Sequence, residues 1–243
     1  YAQLDVPVGI AASPAGRVEK LVGEMERAKD WRRKNRIADA LAEIGEPATG
    51  SLIKLLDNPD PETRQEAALA LGLAGGKRAV APLLGRLADE NMDVRFKAVE
   101  ALGRLRAQEA VDPLIALLES RTKDLSRLAA LALGRIGAEA AVEPLIGFLD
   151  SPNWWDRAAA VDALGEIGSE SALDALLARF EGEEVHVRRS IVVALLKIGS
   201  ERALGTLEAA LDDEDKEVRL FAAEALKSLR AGVLDPGRLL QHL

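Results

Sequence analysis

Arginine recurs along this chain with a fixed step. Arg64, Arg95, Arg157, Arg188 and Arg219 are separated by 31, 62, 31 and 31 residues. The wide gap falls on Ser126, with Arg127 beside it, and a step of 30 back from Arg64 reaches Lys34. Six residues after each of these seven anchors stands an alanine (Ala40, Ala70, Ala101, Ala132, Ala163, Ala194 and Ala225), and a leucine follows it every time. A second column, Pro82, Pro113 and Pro144, is again spaced by 31. Self-similarity with a period of roughly 20 to 50 residues marks a stack of supersecondary units, none of which buries its apolar face alone.

Each unit reads as two helices. The first opens near the proline, whose fixed φ and missing donor suit a first turn, and carries apolar residues such as Leu114, Ile115, Leu117 and Leu118. The second starts after Asp60, Asn91, Asn153 or Asp215, residues that cap a helix start, and runs through the anchor to Gly75, Gly137, Gly168 or Gly199. Glycine at that place permits a left-handed helix stop. The expected organisation is one solenoid over residues 17–231, with units at 17–45, 48–76, 79–107, 110–138, 141–169, 172–200 and 203–231. A leader or linker at 1–16 precedes it and a capping tail at 232–243 follows.

Composition narrows the function. A chain of 243 residues with 48% hydrophobic and 30% charged residues has enough apolar material for a core and a solvated exterior. It contains no cysteine, which removes disulfides, thiolate-bound zinc, iron–sulfur clusters and a cysteine nucleophile. A net charge of −8 argues against a protein that binds chiefly by neutralising phosphates. No apolar run reaches the roughly 18 to 20 residues of a membrane span, and Tyr1 to Gly16 lacks a basic start followed by an apolar stretch. The expected compartment is the cytoplasm, and the expected partners include no membrane.

Ala-Val-Asp-Pro-Leu-Ile at 110–115, Val94-Arg95, Ala-Leu-Gly at 101–103 and their counterparts in the other units resemble HEAT-like repeats, specifically the short regular kind found in phycobilin lyases. The resemblance covers nearly all of 17–231. It implies an all-α, right-handed α-solenoid of about seven two-helix repeats, with the anchor-bearing second helix lining the concave side. It is only weakly specific for function, since such repeats serve as scaffolds, adaptors and occasionally enzymes. Glycine eight residues after the anchor is present as Gly72, Gly103, Gly134 and Gly165, whereas Ala42, Leu196 and Lys227 replace it elsewhere. Looser packing is expected at those three.

At about 100° per residue, the positions one before and three, six, seven and ten after the anchor share one face. They are mostly Val, Ala, Leu and Ile, and form the expected core. The positions two before and one, two, five and nine after fall roughly opposite and are expected to meet solvent in the groove. Several are apolar: Phe96, Leu128, Leu131, Trp155, Val193, Leu220 and Phe221, with Trp31 and Trp154 one step further back. Phe148 and Phe180 instead fall in packing columns of the first helix. Exposed aromatics ringed by polar groups are the anchors that protein interfaces use. The candidate partner-binding groove is therefore Trp31, Phe96, Lys97, Arg127, Leu128, Leu131, Trp154, Trp155, His186, Arg189, Val193, Leu220 and Phe221. Trp155 has a competing reading as core, since Asp156 takes the usual apolar position before the anchor. Leu220 and Phe221 have one as a lid on the last unit.

The groove columns carry nearly balanced charge, and the anchor arginines are better explained by hydrogen bonds to an acidic turn of the adjacent unit than by a ligand. His186 and His242 are too few and too far apart for a metal centre or a histidine relay. Iron hydroxylases built on HEAT-like repeats use His-Glu pairs, and the chain has none. No catalytic residue, metal ligand or cofactor is expected. The leading expectation is a protein or peptide held in the groove. A bilin on the same aromatic surface is the alternative, and nucleic acid a more distant one.

Overall fold

The structure, a computed structural model, describes residues 13–120 and 122–231. Among these residues there are fourteen α-helices, and they divide between two compact units, residues 1–110 and 111–243. The expected tail at 232–243 and most of the expected leader lie outside the described residues.

The first unit contains α1 (Pro14–Arg27), α2 (Trp31–Ile44), α3 (Glu46–Leu55), α4 (Pro61–Ala74), α5 (Val80–Gly85) and α6 (Met92–Arg104). Helix starts follow the sequence. Ser13 and Asp30 cap α1 and α2 through their side chains, Asp60 accepts from the Thr63 N–H, and Asn91 accepts from the Asp93 and Val94 N–H groups. Gly75 ends α4 with φ 78°. The equivalent stop after α6 is made without glycine: Arg106 takes φ 49°, the one non-glycine at positive φ among the described residues. Met25, Leu41, Leu52, Leu71, Leu83 and Leu102 are fully buried and form this unit's core.

The second unit contains α7 (Val111–Glu119), α8 (Lys123–Ile136), α9 (Val142–Phe148), α10 (Trp154–Ile167), α11 (Leu173–Arg179), α12 (Val185–Ile198), α13 (Leu204–Ala209) and α14 (Lys216–Arg230). Helices α8, α10, α12 and α14 pack side by side in that order. The shorter α9, α11 and α13 are each entered through one 3-10 turn, at residues 139–141, 170–172 and 201–203, and together with α7 they cover the other side of the core. Gly137, Gly168 and Gly199 stop the long helices at φ 73° to 74°. Phe148 and Phe180 are buried, as their first-helix columns require.

Glycine also sets the spacing between neighbouring long helices. A Cβ added to Gly72 would stand 2.7 Å from the Cα of Ala101, and Gly165 meets Ala194 at 2.8 Å in the same way. The glycine column and the alanine column are thus two halves of one close contact between successive repeats. Leu196 replaces glycine on α12, and α12 and α14 meet less extensively.

The anchors tie each repeat to the next. Arg64 donates Nε and Nη2 to Asp89 at 3.0 and 2.8 Å, and Nη1 to the carbonyls of Asn58 and Pro59 in its own turn. Arg188 repeats this with Asp213 at 2.8 and 2.9 Å and with the Glu183 carbonyl. Arg157 does so with Glu183, Glu184 and the Ser151 carbonyl, and Lys34 reaches Asp60 and Glu62. The Arg64 and Asp89 side chains are only 7% and 3% exposed, so each charge depends on the other for its solvation. The expected structural role of the anchors is what the structure shows at these four.

Candidate partner-binding surface

In the second unit the cap of α10 fixes the aromatic cluster. Asn153 accepts from the Trp155 N–H at 3.0 Å, which holds Trp154 and Trp155 in the first turn. Trp155 and His186 occupy the same position, two before the anchor, on adjacent helices α10 and α12. The Trp154 ring lies between theirs: its centroid is 4.2 Å from Trp155 at an interplanar angle of 24°, and 4.8 Å from His186 at 19°. Three flat rings therefore form one continuous stack. Trp155 is 57% exposed, so its reading as a core residue is set aside. His186 is also exposed.

Further along the same helices is an open cleft of about 590 Å³. Leu131, Val193 and Phe221 give it an apolar lining on α8, α12 and α14, and Arg135, Asp162 and Lys197 surround them. Phe221 is not an exposed anchor: it is 4% exposed and packs into the body of the unit while its ring borders the cleft. Its position, two after the anchor, points along the layer of long helices toward the neighbouring repeat. The same position is buried at Ala159 and Glu66. Leu220, one residue earlier, remains 52% exposed. Leu128 is half-buried.

Most of the groove's charges are committed within the chain. Arg189 donates to both carboxylate oxygens of Asp215 at 3.0 and 2.8 Å and also pairs with Glu217. The hydrogen bond from Arg189 holds the Asp215 carboxyl down to about 2, against the opposing effect of burial. Arg127 pairs with Asp124 at 2.7 Å, and Lys197 with Glu166 at 2.6 Å. Expected as partner contacts, Arg127 and Arg189 are engaged in the free protein. Arg135, exposed at the cleft's edge, makes no ion pair with the described residues.

In the first unit Trp31 is 55% exposed, with the Arg32 guanidinium 4.8 Å from its ring centre. Phe96 is half-buried, and Lys97 pairs with Glu100 at 3.0 Å. Glu66 is buried; burial raises its pKa, against the opposing hydrogen bond from Asn35. Leu73 on α4, absent from the expected groove residues, is 44% exposed nine residues after its anchor, at a position expected to meet solvent. Among the described residues no group of three or more His, Asp or Glu side chains is arranged to hold a metal ion, and no helix is long and apolar enough to cross a membrane.

The HEAT repeat family profile matches in overlapping segments at residues 18–95, 49–133, 86–158, 112–196 and 142–227. No curated protein sequence matches the chain. Among solved structures, the complex of CpcE and CpcF of phycocyanin lyase from Nostoc sp. PCC7120 is similar with a TM-score of 0.58 and 22% identity, over 99% of this chain and 97% of that one. The archaeal HEAT-like repeats protein from Thermococcus onnurineus NA1 has a TM-score of 0.59 and 17% identity, over 93% of this chain and 99% of that one. An engineered protein has a TM-score of 0.55 and 24% identity, over 88% and 68%. At these identities the likeness is one of fold.

Proposed function

The chain belongs to the HEAT repeat family, and on that premise we propose that it is a non-catalytic scaffold that holds another protein or peptide against the exposed face of its second helices. The observation that carries this reading is the stack of Trp155, Trp154 and His186 on an open surface. Leaving the Trp155 ring in water forgoes the burial of a large apolar area. A partner residue laid over Trp155 recovers it. Such anchors each contribute about 2 kcal/mol or more at protein interfaces. The cleft at Leu131 and Val193, with the exposed Arg135 at its edge, gives the partner a second point of attachment.

The test is capture of partners by the native chain, by Trp155→Ala and by Trp154→Ala, with helix content checked by circular dichroism. Loss of a specific partner in both folded variants is expected; retention in both rejects the reading. A second reading has one observation in its favour, since the flat outer face of the stack also suits a planar tetrapyrrole, and one similar fold is that of a phycocyanin lyase. A shifted bilin absorption band on mixing supports it, and an unchanged spectrum rejects it.

A further inference from the structure

The repeats serve as controls for one another. At Arg64 and Arg188 a guanidinium crosses from the turn of its own repeat to an acidic turn of the next, at Asp89 and Glu90 or Asp213 and Glu214. At the corresponding place in α8 the anchor is Ser126, and the two residues that should be acidic are Ser151 and Pro152. Ser126 is 1% exposed and donates its hydroxyl to the Leu117 carbonyl at 2.9 Å, so it does not reach across. A cavity of about 430 Å³ remains, lined by Asp124, Ser126, Phe148, Ser151, Asn153 and Asp156 among others.

The acid missing from the turn has a counterpart nearby. Asp156 stands one before its anchor, where other repeats carry Val94, Leu125, Val187 and Val218 in the core. Its carboxylate accepts from the Ser151 hydroxyl at 2.9 Å and makes no ion pair with the described residues. Asp124 is already paired with Arg127. Among the described residues that line the cavity there is no lysine or arginine.

We propose that this cavity receives a guanidinium group, supplied by an arginine side chain of the partner that the second-helix face holds; in this it rests on the scaffold reading. The partner's arginine takes the place that Arg64 and Arg188 fill from within the chain. Asp156 accepts its N–H groups, the Asn153 and Ser151 side chains offer further oxygens, and Phe148 supplies an apolar wall for the planar cation. Arginine suits the site better than lysine because its fork matches a carboxylate and its charge is more weakly hydrated.

Methylguanidinium chloride is the probe, titrated into the whole isotopically labelled chain with backbone amide shifts as the readout. Saturable shifts at Ser126, Ser151 and Asp156 are expected, with a dissociation constant on the order of 10 mM for so small a ligand. Methylammonium should bind about fivefold more weakly. Ser126→Arg places a cation in the cavity and should abolish the shifts. Asp156→Asn, which keeps the shape, should weaken binding roughly tenfold. Absent or unsaturable shifts overturn the proposal, as do shifts that persist unchanged in both variants. Partner capture through Trp155 is read separately, so either idea can fail without the other.

Discussion

Gly134 on α8 lies so close to Ala163 on α10 that a Cβ added to it would stand 2.7 Å from the Ala163 Cα. Real Cβ atoms do not tolerate that distance to backbone, so Gly134→Ala must push the two helices apart. A loss of about 1 to 3 kcal/mol is expected, as for other overpacked cores. Gly50→Ala is the control: Gly50 is inside α3 with nothing within 4 Å of the added atom, and should gain about 0.5 to 1 kcal/mol from helix propensity. Urea unfolding midpoints of the two variants should move in opposite directions.

Arg106 makes a helix stop that Gly75, Gly137, Gly168 and Gly199 make elsewhere. A side chain in the left-handed region costs about 1 kcal/mol relative to glycine. Arg106→Gly should therefore raise the unfolding midpoint although it deletes a charged side chain. A lowered midpoint would show that the Arg106 side chain contributes more than its backbone strain costs.

The link between Arg188 and Asp213 should make stability depend on acid pH. Burial works against the charge on Asp213, but the Arg188 hydrogen bonds, the Asp215 N–H and the attraction of the Arg188 charge together outweigh it and hold its pKa below the ordinary 3.8. Asp89 is lowered in the same way by Arg64. A carboxyl with a depressed folded pKa contributes stability that is fully present above its unfolded value and lost as pH falls through the folded one. Unfolding midpoints should thus drop as pH is lowered from about 4 toward 2, the region into which Asp215 also titrates, at about 2. Asp213→Asn should flatten that slope. Arg188→Ala leaves a largely buried carboxylate unpaired and should cost about 3 kcal/mol at neutral pH.

Trp155 and Phe221 should separate binding from stability. Phe221→Ala empties a buried site and should cost roughly 3 to 5 kcal/mol. Trp155→Ala removes an exposed ring and should change stability by less than about 1 kcal/mol while weakening partner capture. Equal destabilisation by the two substitutions would mean that Trp155 is a packing residue.

The architecture was legible because the constraints that build it repeat in sequence. Asn91, Gly75 and Arg64 each act through a local cap, a local φ or a contact one period away, and one period is visible as spacing. The candidate surface was legible only in part. A helical wheel separates the buried Val94 from the exposed Trp155 position, but it treats every other direction as solvent. In a layer of parallel helices the flanks face neighbours, which is why Phe221 and Glu66 are buried while Leu220 remains open. The stacking of His186 on Trp154 depends on how two helix starts align across adjacent repeats. Periodicity places both residues at the same end of their helices but says nothing of ring orientation. The ion pairs that occupy Arg189 and Arg127 likewise depend on side-chain reach.

The meeting of Gly134 with Ala163 is repeated by Gly165 with Ala194, one period further on. Each joint therefore presents the same male and female halves, and the spacing of the joints in space is also the spacing of the sequence that encodes them. An in-frame duplication of one period between these joints would insert a repeat already fitted on both sides, and an in-frame deletion would rejoin compatible halves. Growth by whole repeats is in this sense a neutral change for the stack. A lesion of another length that ran through a helix bearing Gly134 or Gly165 would move the glycine off its alanine and bring a side chain to the joint.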